Sequence, residues 1–177
     1  KILIVGELGV GKSTLCMKIM ERIRDKFSIG GVICPEVIVN GQRGSDAIDL
    51  LTNERKIMMR KRDIADFDGI LVGVECMVNP EGLELSKKAI NRAVSDKNCN
   101  LIVIDHIGLL EKEGKGILNE TIDAINSGRN VLVIVRDNAI DSFLKKFPGQ
   151  EFEIFEVKKK NRNEILDEVL DLLERKN

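Results

Sequence analysis

Near its start the chain carries Gly6-Glu7-Leu8-Gly9-Val10-Gly11-Lys12-Ser13-Thr14, and no other stretch constrains the fold as much. The spacing is G-x-x-x-x-G-K-[ST], and both flanks suit such a loop. Before it, Ile2-Leu3-Ile4-Val5 is a short apolar run rich in β-branched residues, which predicts a buried strand. After it, Leu15, Ile19, Ile23 and Phe27 recur on one helical stripe. A strand, a glycine loop and a helix N-terminus together turn backbone N–H groups toward an anion. Glycine lets the backbone wrap a phosphate that a Cβ would hold off. Gly6, Glu7, Leu8, Gly9, Val10, Gly11, Lys12, Ser13 and Thr14 are therefore the candidate nucleotide-binding residues. Lys12 would meet the β- and γ-phosphates and Ser13 would ligate Mg²⁺, with ATP or another nucleoside triphosphate as ligand.

Composition narrows the class. The chain has 177 residues, 43% of them hydrophobic and 32% charged, which predicts one soluble globular domain over 1–177. Lys and Arg number 28 against 29 Asp and Glu, so no global basic field invites nucleic acid. No apolar run approaches the ~20 residues of a membrane span, and the early first strand leads us to expect no signal peptide. Cys16, Cys34, Cys76 and Cys99 form no C-x-x-C pair, so reduced thiols in the cytoplasm are expected rather than a disulfide framework. Six Phe are the only aromatics besides the single His. A nucleobase would thus lack Tyr or Trp to stack on, and loose base discrimination is expected. Oligomeric state has no signature.

The remaining pattern is α/β. After the first βα unit, residues ~30–78 read as a β-rich insertion. It holds a strand-like run Val32–Val39, a hairpin signal at Asn40-Gly41, short strands at Ala47–Leu51 and Lys56–Met59, and a strand within Ile70–Val78. Pro80 opens a helix. Leu101–Ile104 and Val131–Val135 predict buried strands, with helices over Ile117–Asn126 and Ala139–Phe147. A strand at Phe152–Val157 and a helix carrying Ile165, Val169 and Leu172 close the chain. Apolar strands alternating with helices predict a mostly parallel sheet covered on both faces, the P-loop NTPase fold.

A phosphate loop needs an acidic partner at a neighbouring strand end. Leu101-Ile102-Val103-Ile104-Asp105 supplies one where a buried strand leaves the sheet, so Asp105 is the second candidate Mg²⁺ ligand. Arg136 follows the strand Val131–Val135 and would emerge at the same edge, where charge on a transferring phosphoryl group needs a cation. The basic run Arg55–Arg62 reads as an exposed hairpin, with a phosphate lid or acceptor site as the other reading.

Asp105-His106-Ile107-Gly108 can be read as the D-x-x-G switch of signalling GTPases, but no N-K-x-D element accompanies it. A second resemblance covers more of the chain. Gly31-Val32-Ile33-Cys34-Pro35-Glu36-Val37, Arg43-Gly44, Asp105-His106-Ile107-Gly108-Leu109-Leu110-Glu111 and Asn161-Arg162 occur in an order that resembles the small P-loop nucleoside-triphosphatases. That family includes the cancer-related nucleoside-triphosphatase and its thermophile relatives. Its members look like G-F-Y-T-x-E-V after the first helix, D-E-I-G-x-M-E-L at the Mg²⁺ strand and N-R at the last helix. The resemblance implies Mg²⁺-dependent hydrolysis of several nucleoside triphosphates to diphosphate and phosphate. It also places Arg162 along the nucleobase or phosphates.

The chain departs from the family where water is activated. The family's Glu after the metal-binding Asp is here His106. With an ordinary pKa near 6.5, a neutral imidazole could take a proton near pH 7, or His106 could be a bystander. Glu111 retains the family's second Glu and would either reach the γ-phosphate or anchor the Gly108–Gly116 loop. Hydrolase is thus the first expectation. A nucleotide or small-molecule kinase, and a non-catalytic nucleotide-binding switch, stand beside it.

Overall fold

The computed structural model describes residues 1–175. The first half runs β1 (Ile2–Gly6), α1 (Lys12–Ile23), β2 (Ile29–Ile33), β3 (Glu36–Val39), β4 (Gln42–Asp49), β5 (Arg55–Lys61), β6 (Ile70–Val72), β7 (Cys76–Val78) and α2 (Pro80–Ser95). The second half runs β8 (Leu101–Ile107), α3 (Leu109–Lys112), α4 (Leu118–Asn126), β9 (Asn130–Arg136), α5 (Ile140–Leu144), β10 (Glu153–Glu156) and α6 (Arg162–Arg175).

Side-chain alternation on the central strands builds the layers, because successive residues of a strand face opposite ways. Ile2 and Ile4 of β1, Leu101 and Val103 of β8, and Leu132 and Ile134 of β9 pack with Leu15 and Ile19 of α1 and Ile165 and Val169 of α6. Their neighbours Leu3, Val5, Ile102, Ile104, Val131 and Val133 face the other way, onto α2, α4 and α5 through Leu83, Ile90, Ile125 and Phe143. Helices therefore cover both faces, as the continuous apolar strands predict.

The strands form one sheet in the order β10-β1-β9-β8-β2-β4-β5-β7-β6, with β3 alongside β4. From β10 to β2 every pairing is parallel. From β2 outward every pairing is antiparallel. The β-rich insertion is thus an extension of the parallel sheet rather than a separate layer.

Three local outcomes differ from the expected elements. The run Val32–Val39 splits into β2 and β3 at Cys34-Pro35, because Pro35 has no N–H to donate and the Cys34 N–H is diverted to the Asp105 carboxylate. The run Ile70–Val78 doubles back as the β6–β7 hairpin, with Gly73 at φ 64° in its turn. The short helix α3 follows β8 without a sequence signal of its own. The Asn40-Gly41 signal holds: both residues have positive φ, 50° and 75°, and Val39 pairs with Gln42 across a two-residue turn.

Candidate active site

The loop between β1 and α1 sits at the carboxyl edge of the parallel strands, where open α/β sheets bind ligands. Lys12 opens α1 and is nearly buried. Its ammonium donates to the carbonyls of Gly6 at 2.7 Å and Glu7 at 2.6 Å, so it is held inside the loop's curve. Burial lowers its pKa, and the nearby Asp105 carboxylate pulls it back up.

Asp105 lies near the end of β8 with 1% of its surface exposed. One oxygen accepts the Cys34 N–H at 3.0 Å, and the Ser13 hydroxyl hydrogen-bonds to the carboxylate. Burial nonetheless raises its pKa to about 6, against the opposing pull of those bonds and of Lys12 and Arg136. A buried carboxylate that its hydrogen bonds do not fully compensate, joined to a Ser hydroxyl, is a fitting seat for a hard divalent cation. Among the described residues no group of three or more His, Cys, Asp or Glu is placed to hold a metal. Asp105 and Ser13 are two oxygen donors of the kind a hard divalent cation takes.

Two cavities flank the loop. The larger, about 490 Å³, is lined by Lys12, Ser13, Asp105, His106 and Arg136 together with residues of the antiparallel extension, Glu36, Arg43, Ser45, Met59, Lys61 and Cys76. The smaller, about 170 Å³, is lined by Thr14, Leu15, Lys18, Lys159, Lys160, Arg162 and Asn163. The larger cavity gathers the residues expected to meet Mg²⁺ and the terminal phosphate, and the smaller one holds Arg162, expected along the nucleobase or phosphates.

The structure brings Lys12, Ser13, Asp105, His106 and Arg136 to one cleft, as the strand ends predict. His106 keeps 25% of its side chain exposed, and its Nδ1 lies 3.7 Å from the Asp105 carboxylate, too far for a hydrogen bond. Its pKa falls to about 3, first because burial penalises the imidazolium, then because Arg136 and Lys12 are cationic neighbours. The imidazole is thus neutral at working pH and a far weaker base than its sequence value near 6.5 suggests.

Glu111 is nearly buried outside the cleft lining. Its two oxygens accept the N–H groups of Gly108 at 2.8 Å and Ile117 at 3.1 Å, closing the segment 108–117 upon itself. Of the two roles open in the sequence, this arrangement is that of an anchor. Arg162, at the start of α6, lies against the loop: a Cβ built on Gly11 would sit 2.8 Å from its Nη1.

The sequence assigns no role to Arg43 or Ser45, and reads Lys61 only within the basic run Arg55–Arg62, although all three line the larger cavity. The Asn40-Gly41 turn fixes the register of Arg43 against Ile38, but nothing local says that this hairpin crosses over the phosphate loop. The run Arg55–Arg62 is not uniformly exposed either. Arg60 is buried against Asp46 at 2.6 Å, because a guanidinium in a sheet interior needs a carboxylate partner, and Lys61 reaches the cleft.

Known proteins resemble the chain over nearly its whole length. The model of a family described as NTPase matches residues 1–170. Nucleoside-triphosphatase THEP1 of Methanosarcina barkeri is 31% identical over 92% of this chain and 91% of its own length. THEP1 of Archaeoglobus fulgidus is 28% identical over 98% of this chain and 99% of its own. The crystal structure of THEP1 from the hyperthermophile Aquifex aeolicus superposes with a TM-score of 0.75 at 27% identity, covering 98% of each chain. With a family model spanning residues 1–170 and a solved relative of the same fold over 98% of its length, the chain belongs to the NTPase family.

Proposed function

We propose that the chain is a Mg²⁺-dependent nucleoside-triphosphatase that releases phosphate and a nucleoside diphosphate, with little preference among bases. The observation that carries this is the convergence of Lys12, Ser13, buried Asp105 and Arg136 on one cleft beside the phosphate loop. Asp105 and Ser13 would hold Mg²⁺, which neutralises charge between the β- and γ-phosphates when bound. Lys12 exchanges its bonds to the Gly6 and Glu7 carbonyls for phosphate oxygens. Arg136, near enough to Lys12, Asp105 and His106 to shift all three, faces the developing charge from the adjacent strand.

Water attacks the γ-phosphorus while the bond to the β-phosphate oxygen breaks, and the water's proton leaves with the product phosphate. His106 contributes a neutral imidazole that orients this water by a hydrogen bond rather than by taking its proton. The four free thiols suit a reducing, cytoplasmic setting. No helix among the described residues is long and apolar enough to cross a membrane.

Phosphate release from ATP, GTP, CTP and UTP with Mg²⁺ tests the reading. Wild type releases phosphate from each without any acceptor, and Lys12→Ala releases none. Activity retained in Lys12→Ala, or diphosphate formed only with an added acceptor, would overturn it.

A further inference from the structure

Two cations from distant parts of the chain press on the phosphate loop, each at a glycine. Gly11 has φ 96° and faces Arg162, which lines the smaller cavity. Gly9 has φ 74° and faces Arg43: a Cβ built on it would lie 2.8 Å from the Arg43 Nη1. Arg43 lines the larger cavity with Lys12, Ser13, Asp105, His106 and Arg136. One arginine therefore lies over the loop's apex at Gly9 and the other beside the start of α1 at Gly11, and Arg43 is the one that shares a cavity with Lys12, Asp105 and Arg136.

The Arg43 guanidinium is available for a ligand. Its side chain is 65% exposed, and its one ion pair, to the half-exposed Glu36 at 3.6 Å, is of the weak surface kind. Its backbone is held firmly. Arg43 pairs with Ile38 one step from the Asn40-Gly41 turn, and β4 is hydrogen-bonded to β3, β5 and β2. The guanidinium thus projects from a rigid strand to the apex of the loop, with no side chain on Gly9 to block it.

Resting on the hydrolase reading above, we propose that Arg43 is a catalytic residue supplied in cis by the antiparallel extension, contacting the γ-phosphoryl oxygens as the bond to the β-phosphate breaks. Charge spreads over those oxygens in the transition state, and a planar cation with several donors stabilises it better there than in the ground state. The contribution matters in this chain because His106 stands in its cleft at the position where the related sequences carry a Glu. Glu36 parks the guanidinium between turnovers and yields it to the more highly charged phosphate.

The test is steady-state hydrolysis of ATP with Mg²⁺ by wild type, Arg43→Ala and Arg43→Lys, each checked for an unchanged melting temperature. Arg43→Ala lowers kcat by about 10²–10³-fold with KM within a few-fold. Arg43→Lys restores only a small part, since an ammonium lacks the planar fork. A second readout needs no turnover: wild type traps ADP with aluminium fluoride as a stable complex, whereas Arg43→Ala binds ADP normally and does not trap it. Mixing Arg43→Ala with Lys12→Ala restores nothing, because each site uses its own arginine. An unchanged kcat, a loss confined to KM, normal trapping, or recovery on mixing would overturn the assignment. A wild type that releases no phosphate overturns the hydrolase reading and the assignment together, so the two failures are distinguishable.

Discussion

At the scale of single residues, Asp105 and His106 are chain neighbours pushed in opposite directions by one environment. Burial favours the neutral form of each, raising the acid from 3.8 to about 6 and lowering the base from 6.5 to about 3. Below pH ~6 the Asp105 carboxyl is protonated, and Mg²⁺ must displace that proton. The Mg²⁺ concentration for half-maximal turnover should therefore fall about tenfold per pH unit up to ~6 and level off above it. Mg²⁺ titrations between pH 5 and 8 check this: Asp105→Asn loses the inflection and His106→Gln keeps it. An inflection that vanishes in His106→Gln would assign the titration to the imidazole. In the metal-free fold the sign is opposite: the raised pKa means that Asp105 removes stability as pH climbs from about 4 to about 6. The motif residues were legible because strand, loop, lysine and strand-end carboxylate all lie within short windows of sequence. The His106 pKa was not, because burial and the approach of Arg136 and Lys12 are properties of the folded cleft.

Elements show a different limit. α3 spans only Leu109–Lys112, and a single turn has no periodicity to read. What holds it is Glu111, whose oxygens tie Gly108 to Ile117 and whose pKa burial raises. Glu111→Ala would strand two buried N–H groups, each costing about 1–3 kcal/mol. Chemical denaturation should therefore show a loss of about 2–6 kcal/mol, with Glu111→Gln losing about half as much because its amide oxygen serves one donor. A variant as stable as wild type would remove Glu111 from its anchoring role. The β6–β7 hairpin was hidden for another reason. Ile70-Leu71-Val72 and Cys76-Met77-Val78 read as one apolar run, and only Gly73 marked the fold-back. Arg43 stayed unassigned because its register was local whereas its target, Gly9, lies elsewhere in the chain.

Across the whole molecule, the Phe side chains lie outside the lining of both cavities beside the loop. Phe143, Phe147 and Phe152 cluster with ring centroids 5.0 to 6.2 Å apart. The smaller cavity, expected to take the nucleoside end, offers Lys18, Lys159, Lys160, Arg162 and Asn163, which would address ribose and phosphate rather than one base edge. Competition assays should give kcat/KM values for ATP and GTP within about tenfold, a difference below ~1.4 kcal/mol. A thousandfold preference would show that a base-reading element forms on binding. The unbroken sheet carries a mechanical consequence. Hydrogen-bonded ladders run without a gap from β1, which feeds the phosphate loop, through β9, β8 and β2 to β4, which bears Arg43. Motors and signalling switches need a joint whose two settings are close in free energy. Here the strands on the two sides of the cleft belong to one hydrogen-bonded sheet, so any stroke would have to come from the loops at its edge rather than from a hinge within it.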